Sequence, residues 1–323
     1  MPVKPKKKLI VGLSFVMSLV VGVLLAFLLE HLDSSLRGPQ DVEQKLGVPF
    51  LGLIPLLASK DKADPATAYL KNPTSGFAEA VRTIRTGIML STLDRPKRIL
   101  LVTSSVPGEG KSTTALNIAL ALAQMERVLL IDADMRRPTI MKHCALPPKT
   151  SGLSNAIAKT APLENCIHRY EAGNLDVMPV GLIPPNPLEL LASKAFADLM
   201  NGLESRYDTL VIDSPPINAV SDAQLLAQYA NAVIYVVKGE STSAHVVKEG
   251  LRRLQQIAAP VVGVILNQID MEKIGKYGGY YQGYYYSGYY GPVDTGESAR
   301  SAAESAGRGA IINLPRGNKA KSL

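Results

Sequence analysis

Thr103-Ser104-Ser105-Val106-Pro107-Gly108-Glu109-Gly110-Lys111-Ser112-Thr113 is a glycine-containing loop set between an apolar run, Arg98 to Val102, and a helix-like segment, Ala115 to Gln124. Strand, loop and helix N-terminus together make a phosphate cradle, because backbone N–H groups and the helix dipole converge there on anionic oxygens. The pattern places Lys111 on the β- and γ-phosphates of ATP and the Ser112 hydroxyl on Mg²⁺. The N–H groups of Pro107-flanked Gly108, Glu109 and Gly110, with Thr113, are placed to hold the remaining phosphates. Ser105 stands where the usual phosphate loop has its first glycine.

Two further stretches fit the same site. Leu129-Leu130-Ile131-Asp132-Ala133-Asp134-Met135-Arg136 and Leu210-Val211-Ile212-Asp213-Ser214-Pro215-Pro216 are short apolar runs ending in aspartate. A buried parallel strand delivers a carboxylate to the carboxyl edge of its sheet in this way, and ligands bind at that edge in open α/β folds. The three stretches predict a P-loop nucleotide-binding domain.

Between Lys276 and Gly291 lies a tyrosine-glycine tract carrying Tyr277, Tyr280, Tyr281, Tyr284, Tyr285, Tyr286, Tyr289 and Tyr290, out of 13 tyrosines in the chain. Glycine raises the entropic cost of ordering the backbone, and the tract offers no aliphatic core. On its own it reads as a mobile tail, as a stacking platform for single-stranded nucleic acid, or as a low-complexity adhesive segment. Beside an ATP site, a tethered chain of phenols is a substrate held at high effective concentration.

The combination resembles the bacterial tyrosine kinases (BY-kinases) that regulate capsule and exopolysaccharide synthesis. Their Walker A motif matches Gly110-Lys111-Ser112. Their second motif, three apolar residues then Asp-x-Asp-x-Arg, matches Asp132, Asp134 and Arg136, and their Walker B matches Asp213-Ser214-Pro215-Pro216. Their oligomerisation helix, Glu-x-x-Arg-x-x-Arg, matches Glu79, Arg82 and Arg85. The similarity continues through Asn186-Pro187-Leu188-Glu189-Leu190-Leu191 and Gly263-Val264-Ile265-Leu266-Asn267. The related partitioning-type ATPases carry an extra lysine in the phosphate loop, at the position held here by Val106, and lack a tyrosine tail. A membrane-attached ATPase or scaffold of that type is the alternative reading.

The resemblance implies autophosphorylation of the tail in trans with ATP and Mg²⁺. Lys111, Asp132 and Arg136 would be catalytic, Asp132 taking the phenol proton. Ser112, Asp134 and Asp213 would hold the metal, and Asn267 would contact the adenine edge. It also implies a homo-oligomeric ring through Glu79, Arg82 and Arg85, and a periplasmic chain-length-determinant region or separate membrane modulator. Polysaccharide polymerase or export machinery and a tyrosine phosphatase complete the expected partners. Plainer readings exist for two of these sets. Asp132 and Asp134 can be a βα-turn pair capping the next helix. Glu79, Arg82 and Arg85 can be surface ion pairs at i,i+3 spacing, worth only tenths of a kcal/mol.

With 323 residues, 46% of them hydrophobic, the chain can build one sizeable domain plus appendages. The net charge of +7 owes much to Lys4, Lys6, Lys7 and Lys8 and to a scatter of Arg and Lys at the C-terminus. No long basic stripe lies beside aromatic residues on a folded segment, which argues against a nucleic-acid partner. Cys144 and Cys166 have no metal-ligand spacing and read as reduced thiols.

From Leu9 to Leu29 the chain is uncharged and predominantly apolar. As a helix this run covers roughly 32 Å, enough for the ~30 Å hydrocarbon core of a bilayer. The basic residues before it would keep the N-terminus inside by the positive-inside rule and export the ATP site. ATP is scarce outside a cell, so the ATP site decides the orientation: an inner-membrane protein with its catalytic domain in the cytoplasm. In fused relatives a span of this kind is the second of two, approached by a proline-containing segment like Pro2-Val3-Lys4-Pro5-Lys6.

The expected layout is a basic flank at 1–8, a transmembrane helix at 9–29, and a juxtamembrane connector at 30–75. A kinase domain at 76–270, the tyrosine cluster at 271–290 and a disordered tail at 291–323 follow. Within the connector, a turn and short helix follow Ser34, and Leu51-Gly52-Leu53-Ile54-Pro55 is a short apolar element ending at proline. Alternating apolar runs and helical patterns from Arg98 to Asn267 predict a mostly parallel sheet with helices on both faces.

Overall fold

The computed structural model describes residues 7–32, 35–57, 64–94 and 98–271. Eight strands form one sheet in the order β1-β8-β7-β2-β6-β3-β5-β4. They are β1 (Phe50–Pro55), β2 (Arg98–Ser104), β3 (Val128–Asp132), β4 (His168–Tyr170), β5 (Leu175–Met178), β6 (Thr209–Asp213), β7 (Ala232–Lys238) and β8 (Val261–Ile269). Every pairing is parallel except that of β4 with β5 at one edge. The central strands are continuous apolar runs because helices cover both of their faces; β3 and β6 are buried at every residue.

The topology sets the position of the site. From β2 the chain crosses over β6 to reach β3, and it later returns through β6 to β7 on the other side of β2. The crevice at such a reversal, at the carboxyl ends of the strands, is where open α/β sheets take ligands. In register, Asp213 of β6 lies opposite Asp132 of β3 and opposite Val102 of β2. Both strand-end carboxylates therefore stand at one level, beside the loop that leaves β2.

The helix Lys111–Leu122 that follows the loop is buried at Lys111 and at every residue from Thr114 to Leu122. It has no solvent face to make amphipathic, which is why its sequence is rich in Ala and Leu. The helix Gly76–Ser91 covers it, inserting Phe77, Val81, Ile84 and Ile88 into the core. Its start is set by Ser75, whose hydroxyl accepts from Ala78 N. Each such Ile or Phe contributes about 1.5–3 kcal/mol of burial.

The expected connector is more than a connector. Its short apolar element is β1, an edge strand parallel to β8, with Leu51 and Ile54 turned into the core. Upstream, Ser35 bridges Ser243, Glu240 N donates to Leu36 O at 3.0 Å, and Leu36 and Val42 are fully buried. A short helix, Pro39–Asp41, and a π-helical turn, Val42–Leu46, end on Gly47 in the left-handed region. The antiparallel strand β4 was not anticipated, since a three-residue edge strand has too few residues to show a period.

At the N-terminus, Lys7–Leu32 is one continuous helix of 26 residues. Its side chains are described from Val11 to Leu25, all exposed, Leu13 and Phe15 among them. Among the described residues, no helix is long and apolar enough to cross a membrane. The expected basic flank, tyrosine cluster and C-terminal tail, with Tyr277, Tyr280, Tyr281, Tyr284, Tyr285, Tyr286, Tyr289 and Tyr290, lie outside the described residues.

Candidate active site

The loop between β2 and the helix Lys111–Leu122 turns on two glycines in the left-handed region, Gly108 (φ 89°) and Gly110 (φ 82°). Gly110 is required twice over, because a Cβ there would lie 2.2 Å from Asn267 Nδ2. Ser105, in place of the expected glycine, is buried, and its hydroxyl lies 3.0 Å from the hydroxyl of Tyr235 on β7. That hydrogen bond accounts for the departure from the usual pattern. Glu109 does not face the cradle. Its buried carboxylate accepts from Val106 N (2.8 Å), Lys238 N (3.2 Å) and the Thr242 hydroxyl (2.7 Å). Burial raises its proton affinity, and those donors oppose the rise.

Lys111 is the centre of charge. Its Nζ lies 2.8 Å from Asp134 Oδ2, 3.3 Å from Asp213 Oδ1 and 3.1 Å from Ser112 Oγ. Burial works against its charge, but the carboxylates of Asp213 and Asp134 more than offset that and hold its pKa above the ordinary lysine value. Asp213 is pushed upward by burial, opposed by Lys111 and the Ser112 hydroxyl. Its Oδ2 is buried and has no hydrogen-bond partner.

Asp132 is fully buried. Its Oδ1 accepts from Asp134 N and its Oδ2 from Ile140 N, both at 3.2 Å, so it holds the turn that leaves β3. Burial first, and then the neighbouring Asp213, push its pKa well above the usual carboxylate range. Asp134 also braces this turn, its Oδ1 accepting from Arg137 N at 3.1 Å.

A cavity of about 420 Å³ opens over these groups. Its walls include Lys111, Ser112, Asp134, Arg136, Arg137 and Pro216. Asp132 and Asp213 lie beneath the wall rather than in it. Arg136 is fixed by a bidentate pair with Asp222, Nε and Nη2 donating to the two carboxylate oxygens at 2.8 and 3.1 Å. Those hydrogen bonds raise the pKa of Arg136 above its ordinary value. Neither Asp222 nor the inward turn of Glu109 was read from the sequence. Asp222 carries no motif, whereas a phenol inside the apolar run of β7 was a visible sign that Tyr235 needs a buried partner.

A second cavity of about 250 Å³ shares Gly110 and Thr113 with the first and is lined also by Phe77, Asn117 and Asn267. Asn267 Nδ2 donates to Glu109 O at 2.8 Å, so this amide supports the loop from below. Glu79, Arg82 and Arg85 share one helix, but their contacts are internal. Arg82 pairs with Glu79 at 2.6 Å, lies over the Tyr69 ring and donates to Pro73 O; Arg85 donates to Ala121 O at 3.2 Å.

The donor set fits a magnesium-bearing nucleotide. Among the described residues, no group of three or more His, Cys, Asp or Glu side chains could hold a metal by itself. Mg²⁺ is commonly held by one or two carboxylates and a hydroxyl, with phosphate oxygens and water completing the octahedron. Ser112, Asp134 and the unpartnered Asp213 Oδ2 supply that fraction.

The AAA domain family AAA_31 matches residues 97–265, the span from β2 to β8. Tyrosine-protein kinase YwqD of Bacillus subtilis is 38% identical over 212 residues, covering 65% of this chain and 89% of that protein. The chain belongs to the bacterial tyrosine-protein kinases. Among solved structures, the kinase domain of Escherichia coli tyrosine kinase ETK has a TM-score of 0.69 at 29% identity, over 73% of this chain and 96% of that one. The chimerical protein CapA2B2 has a TM-score of 0.67 at 37% identity, over 72% and 100%. EpsB of Ralstonia solanacearum is 33% identical over 279 residues, which is 83% of this chain but 37% of EpsB. The chain thus spans well under half the length of EpsB but most of the length of YwqD.

Proposed function

We propose that the chain is an ATP-dependent protein-tyrosine autokinase that phosphorylates its own tyrosine-rich tail in trans and so regulates capsular or exopolysaccharide polymerisation or export. The observation that carries the reading is the clamp on Lys111. A cation held between Asp134 and Asp213 at the N-terminus of a buried helix is arranged for a polyanion and a divalent metal together. Mg²⁺, when bound with ATP, shields the β- and γ-phosphate charge.

The chain's own residues do the rest. The loop N–H groups from Gly108 to Thr113 hold the phosphates, and Lys111 offsets charge that builds on the transferring group. Ser112, Asp134 and Asp213 would hold the metal, directly or through water. Arg136, kept in place by Asp222, adds positive charge at the cavity wall. The phenol proton, near pKa 10 in free tyrosine, passes to Asp132. Burial raises the proton affinity of that carboxylate, and each of its oxygens keeps a lone pair beyond its backbone donor. Asn267, which lines the second cavity, would contact the adenine edge.

The apolar run from Leu9 to Leu29, read from the sequence, would cross the inner membrane and leave the kinase domain in the cytoplasm. Subunits form a ring through Glu79, Arg82 and Arg85, after their internal pairs exchange for partners on a neighbour. Each phosphotyrosine adds about −1.5 to −2 charge, so eight in one tail add roughly −12 to −16. That outweighs the formal +7 of the whole chain and disperses the ring. A membrane modulator stimulates the kinase and a phosphatase resets it.

A mixing experiment tests this. Lys111→Met, with its tail intact, is incubated with ATP, Mg²⁺ and an active chain whose eight tail tyrosines are phenylalanine. Phosphotyrosine on the Lys111→Met chain is expected. ATP hydrolysis with no phosphotyrosine on either chain, in the presence of the membrane-side modulator, would instead identify a partitioning-type ATPase.

A further inference from the structure

Arg137 is the cation of the cavity wall that the chemistry above leaves unused. Its backbone is fixed, because its N donates to Asp134 Oδ1 at 3.1 Å. Its side chain is exposed, yet it lines the same cavity as Lys111 and Ser112. Arg136 beside it is held by Asp222, whereas no side chain among the described residues pairs with the Arg137 guanidinium. An unengaged planar fork at the rim of a transfer site suits a phosphate group, which it grips through two N–H groups at once. The wall also carries Pro215, Pro216, Ala219 and Val220, an apolar surface on which a phenol ring can lie.

The tyrosine tract supplies no anion for that fork until it is modified. From Tyr277 to Tyr290 it contains no Asp or Glu, so an unmodified acceptor offers the guanidinium no charge to bind. Each phosphotyrosine brings about −1.5 to −2 charge and three acceptor oxygens. Spacing then decides which phosphate can be reached. In an extended peptide, residues two apart point to the same side and stand roughly 6.5 Å apart along the chain. Tyr284 and Tyr286 are such a pair, and Tyr285 falls on the opposite side. A cavity of about 420 Å³ that also takes the nucleotide phosphates has room for one phenol, so the second member of the pair stays at the rim.

We propose that Arg137 forms a phosphotyrosine subsite at the rim of the active site, so that phosphate on one of Tyr284 and Tyr286 promotes transfer to the other. The proposal rests on the tyrosine-kinase reading for its transfer arm alone. Each transfer stays as described: the bond from the γ-phosphorus to ADP breaks, a bond to the phenol oxygen forms, and the phenol proton passes to Asp132. Arg137 takes no part in those bonds; it retains a peptide that is already phosphorylated. The first phosphate on this run of tyrosines is therefore added slowly and the next one faster.

The test uses the full chain in detergent, with its eight tail tyrosines changed to phenylalanine, and synthetic peptides spanning residues 282–288. Each peptide keeps one acceptor, Tyr284 or Tyr286. The other is phosphorylated in the primed peptide and replaced by phenylalanine in the unprimed one, and Tyr285 is replaced in both. Priming is read as the ratio of kcat/KM, primed over unprimed, within one protein, so that a loss common to both peptides cancels. A ratio of about 10 or more, carried by KM, is expected in at least one of the two orders. Moving the phosphate to Tyr285 should bring the ratio below about 3, because that side chain leaves on the other side. In Arg137→Ala the ratio should fall to about 1–2, and Arg137→Lys should keep only part of it, since an ammonium lacks the fork. Peptide affinity, measured by fluorescence anisotropy with ADP and Mg²⁺ present, should show the same ratios without transfer. Equal rates for primed and unprimed peptides in both orders, an equal gain from phosphate on Tyr285, or a ratio that survives in Arg137→Ala would each overturn the subsite. If no peptide accepts phosphate, the kinase reading fails, and the affinity ratio still judges Arg137.

Discussion

Lys111 Nζ lies 2.8 Å from Asp134 Oδ2, within a pair whose side chains are only 10% and 5% exposed. With Asp213 at 3.3 Å and Asp132 beneath, three carboxylates depend on one ammonium. Asp132 and Asp213 have folded pKa values raised above 3.8, chiefly by burial, and Lys111 lowers both. An acid with a raised folded pKa binds more protons in the native state than in the unfolded one. Its contribution to stability therefore falls as pH rises from the ordinary carboxylate range through the folded pKa.

Lys111→Met removes the lowering influence and extends that window upward. The expected cost is about 3–5 kcal/mol near neutral pH, since it leaves buried charge uncompensated. Thermal melting of variant and wild type at pH 5 and pH 8 checks this. The gap in Tm should be larger at pH 8; a gap that shrinks with pH would contradict the assigned charges.

Asp132 and Asp134 separate by kinetics. If Asp132 takes the phenol proton, Asp132→Asn lowers kcat roughly 10²- to 10⁴-fold with little change in KM for ATP. Asp134→Asn, which alters the metal side and the pair with Lys111, raises KM for ATP as well. A loss in Asp132→Asn that merely tracks its fall in Tm would reduce Asp132 to a turn-holding group.

Gly250 has no room for a side chain, because a Cβ would stand 1.9 Å from the Tyr235 hydroxyl, itself bonded to Ser105. Gly250→Ala should destabilise by about 1–3 kcal/mol through overpacking. Tyr235→Phe, which removes the nearest clashing atom, leaves Ile217 Cγ2 at 2.7 Å and strands the Ser105 hydroxyl, should cost about 1 kcal/mol. In Tyr235→Phe the alanine at 250 should cost less than in wild type, measured by a denaturant double-mutant cycle.

The bidentate pair of Arg136 with Asp222 predicts that lysine is a poor substitute, since an ammonium cannot reproduce the planar fork. Arg136→Lys and Asp222→Asn should each lower kcat about tenfold or more while Tm changes little for the half-exposed Arg136. Wild-type kcat in both variants would exclude Arg136 from the reaction.

The sheet core was legible because β2, β3 and β6 are buried on both faces and so appear as unbroken apolar runs ending in the site residues. The edges were not. In β1, the alternation of Leu51 and Ile54 with partly exposed residues is interrupted by Gly52, and its partner β8 lies two hundred residues on. A parallel pairing of such separation leaves no local turn signal. The site's charges were legible through spacing, but their supports were not. Glu109 resembles any exposed loop acid until Thr242 and Lys238 are brought to it, and Asp222 acquires its role only through Arg136. The ring contact stands apart: the residues named for it are all engaged inside their own subunit.

The proposed activity is transfer of the γ-phosphoryl group from ATP to tyrosine. Its most direct measurement is the phosphotyrosine content of the full chain after incubation with ATP and Mg²⁺, mapped by mass spectrometry, with Lys111→Met treated identically. Phosphate is expected on tyrosines between Tyr277 and Tyr290 in the wild type and none in Lys111→Met alone. Phosphotyrosine that persists in Lys111→Met, or its absence from a wild-type chain that hydrolyses ATP beside its membrane partner, would contradict it.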